Sequence, residues 1–421
     1  MSAAYLKKII LYQNKTGIYH EYKNNMKKNN NYSIYISAAL LTLSISSQAS
    51  MTCKDIFKIN TPLIEPGIGV ITNKKGQPEV RIKLSDADNL QPNTFNAKIA
   101  NFLNSLLAGP SRYFKTKDLN EFVQRLYSDQ RPISFKHKLM DALLLKSKFS
   151  FELAKKNIPS NKPLIIIANH VRAGVDGIPL ASMATLFRER DDVLIVLTER
   201  LSKIKDLPEN TVLIDDSETP AAYIRNKAPR KKIEDHLKNG GAIVIFPSGN
   251  NATRYPLKSI NAGKKLTPAD YPYDALWQAG TYKFALEIPD TVILPMFVDG
   301  QLSENYQIAK ATKSGTASAL LLPYEIGQQI GDTVTLTIGQ PLRAGDVLDI
   351  AKQYVQNYQD DLTPSKADLK RAQPHSHKDI IEANAFLGYL RNEVYALQNV
   401  IQTDAEAHTA TQWLNLINNK N

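Results

Sequence analysis

The chain holds a single cysteine, Cys53, in 421 residues. No internal disulfide can form, so the fold must rest on packing and hydrogen bonds. No apolar run reaches the roughly 20 residues that a membrane-spanning helix needs. The seven histidines form no cluster at usable ligand spacing, so no metal site is expected. No arginine-rich run is interleaved with aromatics, and nucleic acid is not an expected partner. Ser248 lacks a Gly-x-Ser-x-Gly elbow, which argues against a serine nucleophile. Repeats and low-complexity linkers are missing as well.

What is present is ordinary globular composition, with 43% hydrophobic and 22% charged residues. The length suits two domains, or one large domain with an appendage. The formal charge is +11, and residues 1–49 hold six lysines and one acid, Glu21. The remaining basic excess is modest and suits anionic partners: phosphorylated substrates, acyl carriers or a lipid surface.

The amino terminus reads as a targeting segment. Met26-Lys27-Lys28 opens a short basic region, Tyr32–Ile45 is apolar, and Ser47-Gln48-Ala49 closes it with small residues. This is the layout of a signal peptide over 26–49, cleaved after Ala49. The expected destination is the periplasm or the medium. Residues 1–25 form an unassigned leader.

The rest reads as α/β: a mixed, largely parallel sheet flanked by helices, preceded by a helical region and followed by a helical tail. Residues 51–90 look irregular or strand-like, because Pro62, Pro66 and Pro78 limit helices. From Asn93 apolar residues recur at helical spacing, through Leu119–Leu126 and Phe135–Ala154. That gives a mostly helical region over 50–158. An α/β domain spans 159–345. Its expected strands are Leu164–Ala168, Val193–Leu197, Val212–Ile214, Ala242–Phe246, Val292–Val298 and Val334–Ile338. The last alternates apolar residues with threonine, as an edge or half-buried strand would. Helices are expected over Pro179–Arg188, Pro220–Lys238 and Tyr273–Leu286. Residues 346–421 make the helical tail. Apolar strands alternating with helices imply a largely parallel sheet.

Four segments at strand ends carry candidate chemistry, and in such sheets ligands bind beyond the carboxyl ends of the strands. The first runs from Asn169-His170 to Asp176-Gly177. A histidine there can take a proton from a hydroxyl, and a nearby carboxylate can fix its tautomer; it can equally be a histidine that caps a strand end. The second is Phe246-Pro247-Ser248-Gly249, with Asn251 and Arg254 following. Small residues let backbone amides approach a ligand, and Arg254 offers a fork for phosphate or carboxylate; a polar turn with a solvated arginine is the plainer alternative. The third, Thr198-Glu199-Arg200, puts a cation after a strand, where a surface charge pair is the simpler reading. The fourth, Ile293-Leu294-Pro295-Met296, is a cleft wall or plain core.

In this order the four segments resemble the glycerol-3-phosphate and lysophospholipid acyltransferase superfamily, most closely its soluble, plastid-type branch. The resemblance covers about residues 160–345. It implies that His170 is the general base and Asp176 its orienting carboxylate. Arg172, Arg200, Ser248, Gly249, Asn251 and Arg254 would bind substrate. The implied reaction moves a fatty acyl group from acyl-CoA or acyl-acyl carrier protein to a hydroxyl of glycerol 3-phosphate or a lysophospholipid, with no cofactor. The enzyme would be a monomer that touches a membrane peripherally. The chain departs from the family pattern in three places. The arginines expected soon after Gly249 are replaced by Asn251 and by Arg254, shifted one place. Five residues, Val171 to Val175, separate His170 from Asp176 where the family has four. Asp215-Asp216 stand where a basic pair is expected, and two carboxylates would repel phosphate. Two rival readings follow: a phospholipid-dependent transacylase or lipid hydrolase, and a catalytically weak lipid-binding protein of the same fold.

Overall fold

A computed structural model of the chain describes residues 66–72, 78–84, 116–199, 210–215, 220–255, 271–275, 277–311, 315–357 and 377–420. The expected signal peptide, Cys53, Arg200, Asp216 and the first expected helical stripe after Asn93 lie outside the described residues. The strand-like stretch is a hairpin: β1 (Pro66–Thr72) pairs antiparallel with β2 (Pro78–Leu84). Helices α1 (Thr116–Ser128) and α2 (Phe135–Ala142) follow.

Among the described residues the main sheet has nine strands. Its centre is β4 (Leu164–Ala168), fully buried along its length. Parallel to it on one side lies β7 (Ala242–Ile245), then β5 (Val193–Thr198) and β6 (Thr211–Ile214). On the other side lies β8 (Val292–Val298), also parallel. Beyond it β9 (Thr333–Ile338) runs antiparallel to β8, and β3 (Lys146–Ser150) and β11 (Ala405–His408) complete the row. A two-residue strand, β10 (Leu342–Arg343), also pairs with β8.

Alternation along β4 feeds two cores. Leu164, Ile166 and Ala168 point into one, with Leu180, Ala184 and Trp413; Ile165 and Ile167 point into the other, with Leu237, Phe284, Phe386 and Leu390. The first face is covered by α2, by α4 (Gly177–Arg188) and by α12 (Ala410–Lys420). The second is covered by α6 (Lys227–Lys238), α7 (Gly280–Glu287), α10 (Ala344–Asn357) and α11 (His377–Ala396). A short α3 (Phe151–Asn157) precedes β4, and α5 (Pro220–Arg225) precedes α6. Two helices that periodicity did not suggest, α8 (Glu304–Ala311) and α9 (Gly315–Gln328), lie between β8 and β9.

The structure corrects several expectations. The stripe over Phe135–Ala154 is not continuous helix: β3 interrupts it, with Ser147, Phe149 and Ser150 buried and two lysines out. One phenylalanine among serines and lysines hides that alternation in the sequence. The helix expected from Tyr273 begins at Gly280, because Tyr273 makes a bridge with Thr253 instead. The helix over Pro220–Lys238 is split at Asn226, whose side-chain amide pairs with both backbone groups of Asp215. Of the two readings of the Thr-rich β9, edge or half-buried, only the edge reading falls, since β3 and β8 flank it. The sheet also overruns the expected α/β boundaries of 159–345 at both ends, through β3 and β11. The tail is therefore not wholly helical, and Glu65–Asn421 forms one unit.

Trp413 fixes the tail to the sheet. It stacks on Phe149 at 4.2 Å between ring centroids, and its Nε1 donates to the Ser147 carbonyl at 3.1 Å. Trp413→Ala should lower unfolding stability by about 3–5 kcal/mol in denaturant titration. An unchanged midpoint would make the tail a loose appendage.

Candidate active site

The site forms where β4 and its neighbours β7 and β8 end. Asn169, one residue past β4, is 1% exposed. Its Nδ2 donates to the Val298 carbonyl at 2.9 Å, and its Oδ1 accepts from the Val298 amide at 2.7 Å. This side chain thus continues the strand pairing between β4 and β8 after the backbone has turned away. The next residue, His170, keeps 15% of its side chain exposed. Its ring lies on Phe246, with centroids 4.4 Å apart and planes 23° apart.

His170 Nδ1 lies 2.8 Å from Asp176 Oδ2. The same oxygen accepts the backbone amides of Val171 at 2.8 Å and Arg172 at 2.9 Å. Five intervening residues are accommodated by a bulge. Ala173 and Gly174 both take positive φ, 55° and 89°, and the Val175 amide bonds back to the Arg172 carbonyl at 2.9 Å. For alanine that conformation costs roughly 1–2 kcal/mol. The Ala173 amide is held at 3.0 Å by Asn251 Oδ1, whose own Nδ2 donates to the Tyr306 hydroxyl at 3.0 Å.

Asp176 is fully buried at the start of α4. Burial works against its charge. The positive charge and hydrogen bond of His170, then the two amides, outweigh burial and hold the carboxyl below the usual range. The helix start favours the anion too. For His170, burial disfavours the imidazolium, but the Asp176 charge and hydrogen bond raise its pKa above the ordinary histidine value. Asp274 adds to that rise, and Lys310 opposes it. With Nδ1–H given to Asp176, Nε2 is the nitrogen left to take a proton.

The other expected site residues divide. The Ser248–Arg254 loop is laced to the histidine loop: the Ala252 amide donates to the His170 carbonyl. Ser248 is buried and closes its own turn, donating to the Asn250 carbonyl at 2.7 Å. Gly249 takes φ +60°. Arg254 hangs by its amide from Gln307 Oε1 at 2.9 Å. Arg172 is engaged elsewhere. Its guanidinium donates to the Asp299 carbonyl at 2.8 Å and to Asp332 at 3.2 Å. The Ile293-Leu294-Pro295-Met296 segment is core within β8. Asp215, expected to repel phosphate, is paired with Arg225.

The family model described as Acyltransferase matches residues 151–319. Residues 151–319 are an acyltransferase-family domain. No curated protein matches the chain in sequence comparison. The acyltransferase domain carries three residues at the site that sequence reasoning did not assign a role. Asn169 stood inside the first motif, and a buried asparagine at a strand end could have flagged it. Lys310, which donates to Asn250 Oδ1 at 2.7 Å, and Asp274, which accepts the His170 amide at 3.2 Å, gave no local signal. Among the described residues no group of three or more His, Cys, Asp or Glu side chains could hold a metal ion.

Two measurements check this geometry. Asp176→Asn removes the negative charge beside the imidazole, so the His170 titration followed by ring NMR should move to lower pH. Asn169→Ala leaves both Val298 backbone groups without their partners, and should cost about 2–4 kcal/mol in thermal unfolding.

Proposed function

We propose that the chain is a glycerolipid O-acyltransferase that carries a fatty acyl group from a thioester to a hydroxyl. The family match supports acyl transfer in general. The single observation that carries the finer reading is the 2.8 Å bond between His170 Nδ1 and Asp176, which the five-residue spacing does not disrupt. A lipid-binding protein with a lapsed active site would have no need of that strained bulge.

In the proposed reaction His170 Nε2 takes the proton of the acceptor hydroxyl, and Asp176 steadies the imidazolium that forms. The hydroxyl oxygen attacks the thioester carbonyl, and backbone amides near Gly177 or Ser248 serve the oxyanion in this reading. The C–S bond then breaks, and His170 returns the proton to the leaving sulfur. No acyl-enzyme forms. The donor is acyl-CoA or acyl-acyl carrier protein. Glycerol 3-phosphate or a lysophospholipid is the acceptor, and the Asp215–Arg225 pair lessens the repulsion a phosphate would meet. Arg254 and Lys310 are the cations we assign to the acidic acceptor group. Among the described residues no helix is long and apolar enough to cross a membrane. Membrane contact is peripheral in this reading. Export to the periplasm or medium, as residues 26–49 suggest, would part the enzyme from cytosolic thioesters.

The test offers acyl-CoA, acyl-acyl carrier protein or phospholipid as donor, with glycerol 3-phosphate or lysophospholipids as acceptor, and reads products by mass spectrometry. His170→Ala should lower the rate by about 10²–10⁴-fold. Because His170 must be neutral to act, kcat/KM should fall as pH drops through a value above the ordinary histidine pKa. Ester formation that survives His170→Ala intact would sink the mechanism. Product from phospholipid alone would move the assignment to a transacylase.

A further inference from the structure

Asp274 is a second buried carboxylate at the site, and the His170–Asp176 pair leaves it without a role. Its Oδ1 accepts the His170 backbone amide at 3.2 Å, and its Oδ2 accepts Trp277 Nε1 at 3.0 Å. Both carboxyl oxygens therefore act as acceptors. The segment carrying Asp274 is held from a distance. Its amide donates to the Tyr395 hydroxyl at 2.8 Å, and its carbonyl accepts Arg391 Nη2 at 2.9 Å. Arg391 and Tyr395 stand four residues apart on α11, on one helix face, with the guanidinium 5.7 Å from the ring centroid. Tyr395 is itself fixed by Tyr273, at 5.2 Å, and by Phe297, at 6.0 Å. Both α11 residues lie beyond the segment matched by the family model.

We propose that Asp274 is a positioning residue for His170, and that α11 holds it in place through Arg391 and Tyr395. The proposal rests on His170 as the base. A carboxylate on the amide of residue 170 fixes the backbone from which the imidazole projects. It also sets a negative charge near the ring in a site shielded from water, where the charge favours the imidazolium formed on proton uptake. The charged groups that face His170 are Asp176 from its own loop, Asp274 from the segment before α7, and Lys310 from α8. The two carboxylates favour the imidazolium and the lysine opposes it. Burial pushes the Asp274 carboxyl above its ordinary value, and Trp277, the His170 amide, the His170 charge and Arg391 offset only part of that rise. A packing role for Asp274 would alter stability alone; a positioning role alters the titration of His170.

The decisive experiment is an NMR titration of the His170 ring in the full chain, with the resonance assigned by its loss in His170→Ala. It needs no turnover, so it remains readable if the acyl-transfer assignment fails. Asp274→Asn should lower the His170 midpoint by about half a pH unit or more. Where acyl transfer is measured, kcat should fall about tenfold with KM nearly unchanged. Tyr395→Phe, which removes one hydroxyl, should move both readings the same way by less. An unchanged His170 midpoint in folded Asp274→Asn overturns the proposal. If that variant does not fold, an unchanged midpoint in Tyr395→Phe overturns it equally.

Discussion

The site depends on keeping one carboxylate ionised with no water around it. Asp176 has no exposed surface, and the desolvation of an unpaired charge there would cost several kcal/mol. Three donors converge on one of its oxygens, the His170 ring and the amides of Val171 and Arg172. The start of α4 adds a favourable dipole. Those demands fix the path of the loop from His170 to Asp176. They also explain why the chain tolerates left-handed backbone at Ala173, a conformation that nothing local would favour. Strain in the loop and charge in the pocket are two sides of one arrangement.

The loop is secured from elements far away in sequence. The Asn251 side chain takes the Ala173 amide and passes the link to Tyr306 on α8. Lys310 and Gln307 of the same helix hold Asn250 and Arg254. Asn169 fastens the end of β4 to the end of β8. The His170–Asp176 and Pro-Ser-Gly segments therefore behave as one body, with α8 as its brace. Several polar residues that look like ligand binders in the sequence are used inside this brace. Asn251 commits both ends of its amide to it, Ser248 closes its own turn, and Arg172 reaches toward Asp299 and Asp332.

The sheet explains why the brace can be rigid. Its centre, β4, is buried on both faces and flanked by parallel strands, so its end is set by packing on two sides. The carboxyl-terminal segment closes both faces of the sheet: α12 lies with one core and α11 with the other, while β11 extends the sheet itself. A region that composition marks as a tail is thus part of the frame around the site.

The sequence by itself determined the central strands and the order of the motifs. Runs such as Leu164–Ala168 and Val292–Val298 are apolar throughout, and only a strand buried on both faces needs that. The pairing of His170 with Asp176 was legible for a similar reason, since the two are local to one loop. The tertiary structure decided what depends on long separations. That β3 is a strand follows from neighbours at Thr333 and Ala405, not from its own five residues. Besides its neighbour Trp277, the partners of Asp274 lie more than a hundred residues away, at His170, Arg391 and Tyr395. The fate of Arg172 was set by carbonyl and carboxylate groups at Asp299 and Asp332. Periodicity reports which face of an element is buried; it carries no record of which distant polar group will meet it there.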